Sequence, residues 1–496
     1  MSAYAELERR FRRLALLDEA AAVLAWDKAA MMPAGGAAAR AEQLAELEVV
    51  RHQAATDPAL ADLLDAAEAD EAALDGWRAA NLAEMRRRWR HANAVDAGLV
   101  VAFSRATSRC EMRWRTARVE NDFAGLAPDL ARVVDVVREI AAAKADAFGC
   151  GPYDALLDQF EPGARSARID ALFADLGAFL PDVLDRALAA QAAAPEPLPL
   201  DGPFAEADQR ALGERLMAAL GFDFDHGRLD VSHHPFTGGV PEDVRLTTRY
   251  ERDDFTKALM AVLHETGHAL YEMGLPREWR RRPVGEARGM VLHEGQSLLI
   301  EMQVCRGSEF LTFAAPLIAE AFGREGPAWS ADNLLRHYRR VAPGPIRVDA
   351  DEVTYPAHVI LRYRLEKAMI VGDLAVADLP AAWNEGMRDL LGLAPPDDRD
   401  GCLQDIHWPD GAFGYFPTYT LGALAAAQLY AAARAADADI VPAVMRGDFA
   451  PLVGWLRANV HALGSRHTTD EVLVRATGRP LDAAAFKRHL EARYLA

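Results

Sequence analysis

Ala261-Val-Leu-His-Glu-Thr-Gly-His-Ala-Leu-Tyr271 is the stretch on which the reading of this chain turns. Val262, Leu263, Ala269 and Leu270 give it the apolar content of a buried helix. His264 and His268, four positions apart, differ by about 40° around a helix axis and by ~6 Å along it. Both imidazoles therefore reach one metal ion, and Glu265 lies close enough to handle a water there. Zinc brings the pKa of such a water toward about 7, and a carboxylate base then completes a hydroxide nucleophile. Two unpartnered imidazoles in a buried helix would be costly, which favours a ligand role over packing.

A catalytic metal usually takes three protein ligands and leaves a position open. Glu272 sits about 12 Å along the same helix from His264 and cannot close the site. A second apolar helical pattern, Met290-Val-Leu-His-Glu-Gly-Gln-Ser-Leu-Leu-Ile300, follows the loop Gly274 to Gly289. Neighbouring helical residues point about 100° apart, so only one of His293 and Glu294 can bind the ion. Glu294 is preferred, with His293, Glu286 and Glu301 as alternatives.

Outward from this centre, the 496 residues hold 55 basic and 74 acidic side chains, a net charge of −19. An acidic balance of that size argues against nucleic acid as a partner. Arg86-Arg-Arg-Trp-Arg90 and Arg280-Arg-Arg282 then read as solvated helix faces or internal ion pairs. Cys110, Cys150, Cys305 and Cys402 are widely spaced, which suits neither a disulfide framework nor a thiolate metal site. The amphipathic start carries Glu6, Glu8, Asp18 and Glu19, unlike a signal or transit peptide. Tyr419 to Ala436 reads as a buried helix, since its apolar content is mostly alanine. A cytoplasmic protein with no membrane contact is expected.

Apolar residues recur at three- and four-residue spacing from Ala5 to Trp26, Asp129 to Phe148, Ser166 to Ala194 and Leu481 to Leu495. The fold class is therefore mainly α. Asp243-Val-Arg-Leu-Thr-Thr-Arg-Tyr250 alternates like a half-buried strand. It is expected to pair with Arg228 to Phe236 across a turn at Thr237-Gly-Gly-Val-Pro241, as a small antiparallel sheet beside the motif helix. An exposed edge on that strand would suit an extended peptide; a buried, stabilising hairpin is the equal alternative. Ala194 to Pro203 is a proline-rich break, read as a loop within one domain spanning 1–496. It separates a helical region of about 1–194 from a metal- and substrate-binding region of about 204–496.

Several motifs then fall into one order: His234-Pro-Phe236, Asp243-Val-Arg-Leu-Thr247, His264-Glu-Thr-Gly-His268 and His293-Glu-Gly-Gln296. Ile346-Arg-Val-Asp-Ala-Asp351, Gly401-Cys-Leu-Gln-Asp-Ile-His-Trp408 and Gly414-Tyr-Phe-Pro-Thr-Tyr419 continue the series. Weaker matches are Trp26-Asp27 with Met32-Pro33, and Tyr153 to Asp158 with Glu161-Pro-Gly163. Over almost its whole length the chain resembles the carboxypeptidase Taq family of metallocarboxypeptidases. That resemblance implies a two-lobed helical fold with a long central groove, a homodimer, and Glu294 as third ligand beside His264 and His268. It also implies peptide substrates with a free C-terminus and Glu265 as the general base.

Zinc is the expected ion, with cobalt or manganese able to share such a ligand set. Within the resembling motifs Arg347 is the expected anchor for a terminal carboxylate, since a guanidinium binds one bidentately; the alternative is pairing with Asp349 or Asp351. Gln404, Asp405 and His407 are expected around the terminal residue, with the alternative that Asp405 orients a histidine. His234, His407, Tyr415 and Tyr419 are candidates to stabilise an oxyanion, with aromatic packing or loop capping as the competing explanation. An oligopeptidase or dipeptidase using the same site, or a non-catalytic helical scaffold, are the alternative functions.

Overall fold

A computed structural model describes residues 2–495, and helices make up most of them. The chain forms two compact units, each assembled from three segments. The first comprises Met1–Trp89, Glu196–Arg339 and Ala425–Leu481; the second comprises Arg90–Pro195, Arg340–Leu424 and Asp482–Ala496. One boundary falls inside the proline-rich break. Among the described residues no helix is long and apolar enough to cross a membrane.

In the first unit, helix Ala3–Ala30 is capped by Ser2, whose hydroxyl accepts from the Ala5 amide. Tyr4, Leu7, Phe11 and Leu14 line its buried face and pack on Leu60, Leu64, Leu82 and Met85. Near its end, Trp26 is buried, with the guanidinium groups of Arg228 and Arg245 at 5.3 and 4.5 Å from its ring. The arginine clusters form ion pairs at the partly exposed surface: Arg86 with Glu68, Arg88 with Glu286, Arg280 with Glu242, Arg281 with Glu19 and Arg282 with Glu8.

The sheet has three strands, β1 (Gly227–Val231), β2 (Phe236–Val240) and β3 (Asp243–Thr248), in the order β1-β3-β2. It is mixed and not wholly antiparallel: β3 runs antiparallel to β2 and parallel to β1. The stretch expected as the turn, Thr237 to Val240, is itself a strand, and the reversal is made by Pro241-Glu242. Two glycines signalled a turn there, but Gly239 instead adopts φ 84° within β2, where a side chain would collide with the Asp243 carbonyl. β3 is the central strand with both edges taken, so it cannot accept a peptide strand as expected from the sequence. Leu229, Val244 and Leu246 pack on Val262 and Ala269, which seats the sheet against the motif helix.

That helix runs Phe255–Gly274 and starts on Asp254, which accepts from the Thr256 amide at 2.8 Å. The second apolar pattern is helix Met290–Leu298, continued by a π-helical stretch, Leu299–Cys305. The two meet backbone to backbone. A Cβ placed on Gly267 would lie 2.6 Å from the Gln296 carbonyl oxygen and 2.6 Å from Ser297 Cα.

The second unit is built around helix Tyr355–Val371, where His358, Arg362 and Glu366 are all fully buried. Glu366 accepts hydrogen bonds from Tyr153 Oη at 2.5 Å, Trp408 Nε1 at 3.1 Å and the Gly414 amide at 3.2 Å. Burial nevertheless pushes its pKa up from 4.5 to about 7.

Two predictions follow from this packing. Gly267→Ala should lower stability by about 1–3 kcal/mol, because rigid backbone must move apart to admit one methyl group; chemical denaturation measures it. For Glu366 the folded pKa lies above the unfolded one, so its contribution is complete below about pH 4.5 and is lost as pH rises to about 7. Wild type should therefore lose up to about 3 kcal/mol relative to Glu366→Gln across that window. Denaturation midpoints of both proteins at several pH values read the difference; parallel curves would contradict it.

Candidate metal centre

His264 Nε2 and His268 Nε2 lie 3.9 and 3.8 Å from Glu294 Oε2. The three ligand atoms all fall within 4.8 Å of one another, the span of donors that share one ion. His268 and Glu294 are buried and His264 is half-buried. The alternatives for the third ligand are engaged elsewhere. Glu286 pairs with Arg88, Glu301 lies on His264 Nδ1, and His293 lies on His268 Nδ1.

The contact at Gly267 is what brings Glu294 across to the two histidines. Gln296 on the second helix is tied by its Oε1 to His461 Nε2 at 2.8 Å. The π-helical turn advances less per residue than an α-helical one, and it carries Glu301 to 2.9 Å from His264 Nδ1. Arg306 Nη2 holds the other Glu301 oxygen at 2.7 Å. His268 Nδ1 is 2.6 Å from His293 Nδ1, and His293 Nε2 is 2.8 Å from Glu272 Oε1. Each candidate ligand imidazole thus has its Nδ1 occupied and its Nε2 turned toward Glu294.

The electrostatics suit a cation. Burial alone would push His264 down, but Glu301, Glu265 and Glu294 outweigh it and carry its pKa up to about 9. Burial raises the Glu265 carboxyl, against the pull of His264 and of Thr237. Thr237 Oγ1, on β2, donates to Glu265 Oε2 at 2.7 Å, with the Glu265 carbonyl at 3.1 Å. Two imidazole nitrogens and one carboxylate oxygen, with two of the three residues buried, are a donor set that fits a divalent ion.

Within the second unit, Arg347 is 7% exposed and held on one side by Asp405. Its Nε and Nη2 donate to Asp405 Oδ1 at 3.1 and 2.9 Å, and Nη1 donates to Tyr355 Oη at 3.1 Å. These bonds use three of the five guanidinium N–H groups. Asp405, far along the chain, is an ion-pair partner of Arg347; Asp351 caps the following turn by accepting from the Val353 and Thr354 amides. Asp405 Oδ2 takes Arg362 Nε at 2.6 Å. Buried, yet flanked by Arg362 and Arg347, the Asp405 carboxyl is held well below the usual carboxylate range.

Gln404 Oε1 accepts from the Arg347 amide at 2.8 Å, and its Nε2 donates to the carbonyls of Pro345, Asp400 and Gly401. It braces the loop that carries Arg347. His407 Nε2 is 3.3 Å from Tyr419 Oη, and burial brings its pKa down to about 4. Tyr419 lies under the Arg347 guanidinium at 5.2 Å, and Tyr415 meets Tyr419 edge-on at 5.1 Å. His234 is exposed in the connection between β1 and β2, where its carbonyl accepts from Ser232.

Four participants have no separate signal in the motifs. Thr237 read as part of a turn, and Glu272 was excluded by its distance from His264. Arg362 and Tyr355 lie in a helix whose charged residues look solvent-facing by composition. A full positive charge inside an apolar pattern is the cue that marks Arg362 as one end of a buried ion pair.

The sequence matches the carboxypeptidase Taq (M32) metallopeptidase family over residues 6–494. It is 40% identical to thermostable carboxypeptidase 1 of Thermus thermophilus, across 100% of this chain and 99% of that protein. Among solved structures, Trypanosoma cruzi metallocarboxypeptidase 1 superposes with a TM-score of 0.98 at 40% identity, covering 100% of this chain and 99% of the other. The M32 carboxypeptidase from Deinococcus radiodurans R1 gives 0.93 at 36% identity, with coverage of 99% and 98%. A buried cluster of two histidines and a glutamate, set in a fold shared from end to end with these proteins, agrees with that match: the chain belongs to the carboxypeptidase Taq (M32) family of metallopeptidases.

Proposed function

We propose that the chain is a zinc-dependent carboxypeptidase that removes residues one at a time from the free C-terminus of peptides. The cluster His264, His268 and Glu294, with Glu265 buried beside it, carries this reading. A divalent ion held by those three residues supplies a Lewis acid for the scissile carbonyl and acidifies a water.

Glu265 is the base in this proposal. Its Oε2 is oriented by Thr237, and burial keeps its proton affinity high enough to take a proton from water and pass it to the leaving amine. Arg347 anchors the terminal carboxylate of the peptide. Its two remaining N–H donors on Nη1 and Nη2 suit that role, and one carboxylate between two buried guanidinium groups leaves a net positive charge there. Asp405 and Gln404 act as positioning residues for Arg347. His407, Tyr419 and Tyr415 contact the terminal residue or donate to the oxyanion, and His234 is a further donor candidate. Cobalt and manganese fit the same ligands. A homodimeric state and a cytoplasmic location belong to the proposal through the family resemblance, and light scattering on the purified protein tests the first.

Glu265→Gln should retain the metal and lose roughly 10²- to 10⁴-fold in kcat. Full activity in that variant, with metal bound, would remove Glu265 as the base. Arg347→Lys keeps the charge and loses the fork, so KM for free-C-terminus peptides should rise by roughly 10- to 100-fold with a smaller change in kcat. Mass spectrometry on paired peptides separates the other functions. A C-terminal ladder on the free acid, none on the amide and none with chelator is the expected pattern. Equal cleavage of the amide would indicate an oligopeptidase, and no cleavage at any metal loading a scaffold.

A further inference from the structure

From the hydrogen bonds beside the metal cluster we infer that His293 and Glu272 set the proton pattern of His268, and so decide which of its nitrogens is offered to the ion. The inference rests on the metal-site reading above and assigns a positioning role to two residues outside the ligand set. A neutral imidazole carries one N–H and one lone pair. Glu272 Oε1, a carboxylate oxygen 2.8 Å from His293 Nε2, only accepts, so His293 holds its proton on Nε2. His293 Nδ1 is then a lone pair. The two Nδ1 atoms of His293 and His268 are 2.6 Å apart and share one proton, which must therefore sit on His268. His268 Nε2 is left bare, on the side facing Glu294 Oε2 at 3.8 Å. With His293 in the opposite tautomer, its Nδ1–H would point at His268 Nδ1, force the proton onto Nε2 and cost the site a ligand.

The two arms of the site reach the same result by different routes. His264 is oriented by a carboxylate directly, through Glu301, whereas His268 has an imidazole interposed before its carboxylate. The interposed ring is itself held, with Tyr271 packed on it at 5.4 Å. Neighbouring residues of one helix thus serve the site differently: Glu294 as a ligand, and His293 by aligning a ligand of the facing helix. Glu272, too far along its helix from His264 to bind the ion, terminates the relay.

Zinc affinity of the full chain, measured by competition with a chromophoric chelator, tests this, alongside the melting temperature of each metal-free variant. His293→Leu removes the acceptor and should weaken zinc binding by roughly 10- to 100-fold. His293→Asn places an amide oxygen where Nδ1 stood and should restore most of that loss. Glu272→Gln both donates and accepts, no longer dictates the tautomer, and should fall between the two. Wild-type affinity in His293→Leu, or equal losses in the leucine and asparagine variants, would overturn the proposal. If His293→Leu does not fold, unchanged affinity in Glu272→Gln overturns it instead. His268→Ala serves as the reference: if it binds zinc as wild type does, the metal reading itself is wrong, an outcome distinct from failure of the relay.

Discussion

The contact on which the candidate metal centre depends has no side chain at its centre. At Gly267 one helix backbone rests against another, with Gln296 and Ser297 close enough that a methyl group would be in collision. Helices that carry side chains at the contact sit 8–10 Å apart. Here the closer approach places a glutamate of one helix within reach of two histidines on the other. Everything else about the centre elaborates that distance: the sheet packs on the far side of the first helix, Thr237 reaches Glu265 from it, and the π-helical turn brings Glu301 in behind His264.

The helical character, the motif helix and the shortlist for the third ligand were legible because each rests on local periodicity, which survives without tertiary information. Angular spacing could say that only one of His293 and Glu294 faces the ion, but not which, because the rotation of the second helix is decided by what it packs against. The sheet was half legible for a related reason. Alternation in β3 is a local property, whereas the pairing of Gly227–Val231 alongside it in parallel is not, and the glycines at 238 and 239 carry the same signal for a turn as for a strand that must hug its neighbour. Glu272 shows a third kind of limit. Distance along the helix speaks against it as a ligand, yet its position two hydrogen bonds from His268 is visible only once His293 is placed between.

In the second unit, Asp405 stands between Arg347 and Arg362, all three largely buried. Such a triad is a poor source of stability, since each ion is desolvated and the charges do not cancel. Its value is orientation. Arg347 is fixed by a carboxylate along one edge, a tyrosine hydroxyl, the aromatic face of Tyr419, and a glutamine that braces its own loop. A guanidinium held in this way loses little further freedom when it meets an anion.

The interleaving of the two units has a consequence for how the chain acquires its structure during synthesis. Both helices that carry the candidate metal ligands have been made by residue 305, but His461, which ties down Gln296, belongs to the segment Ala425–Leu481 of the same unit. A nascent chain of 400 residues therefore holds every candidate ligand while lacking part of the body that seats them. Closing contacts over such separations is slow. The buried histidines and carboxylates must wait, within reach of any free divalent ion, until the last quarter of the chain arrives.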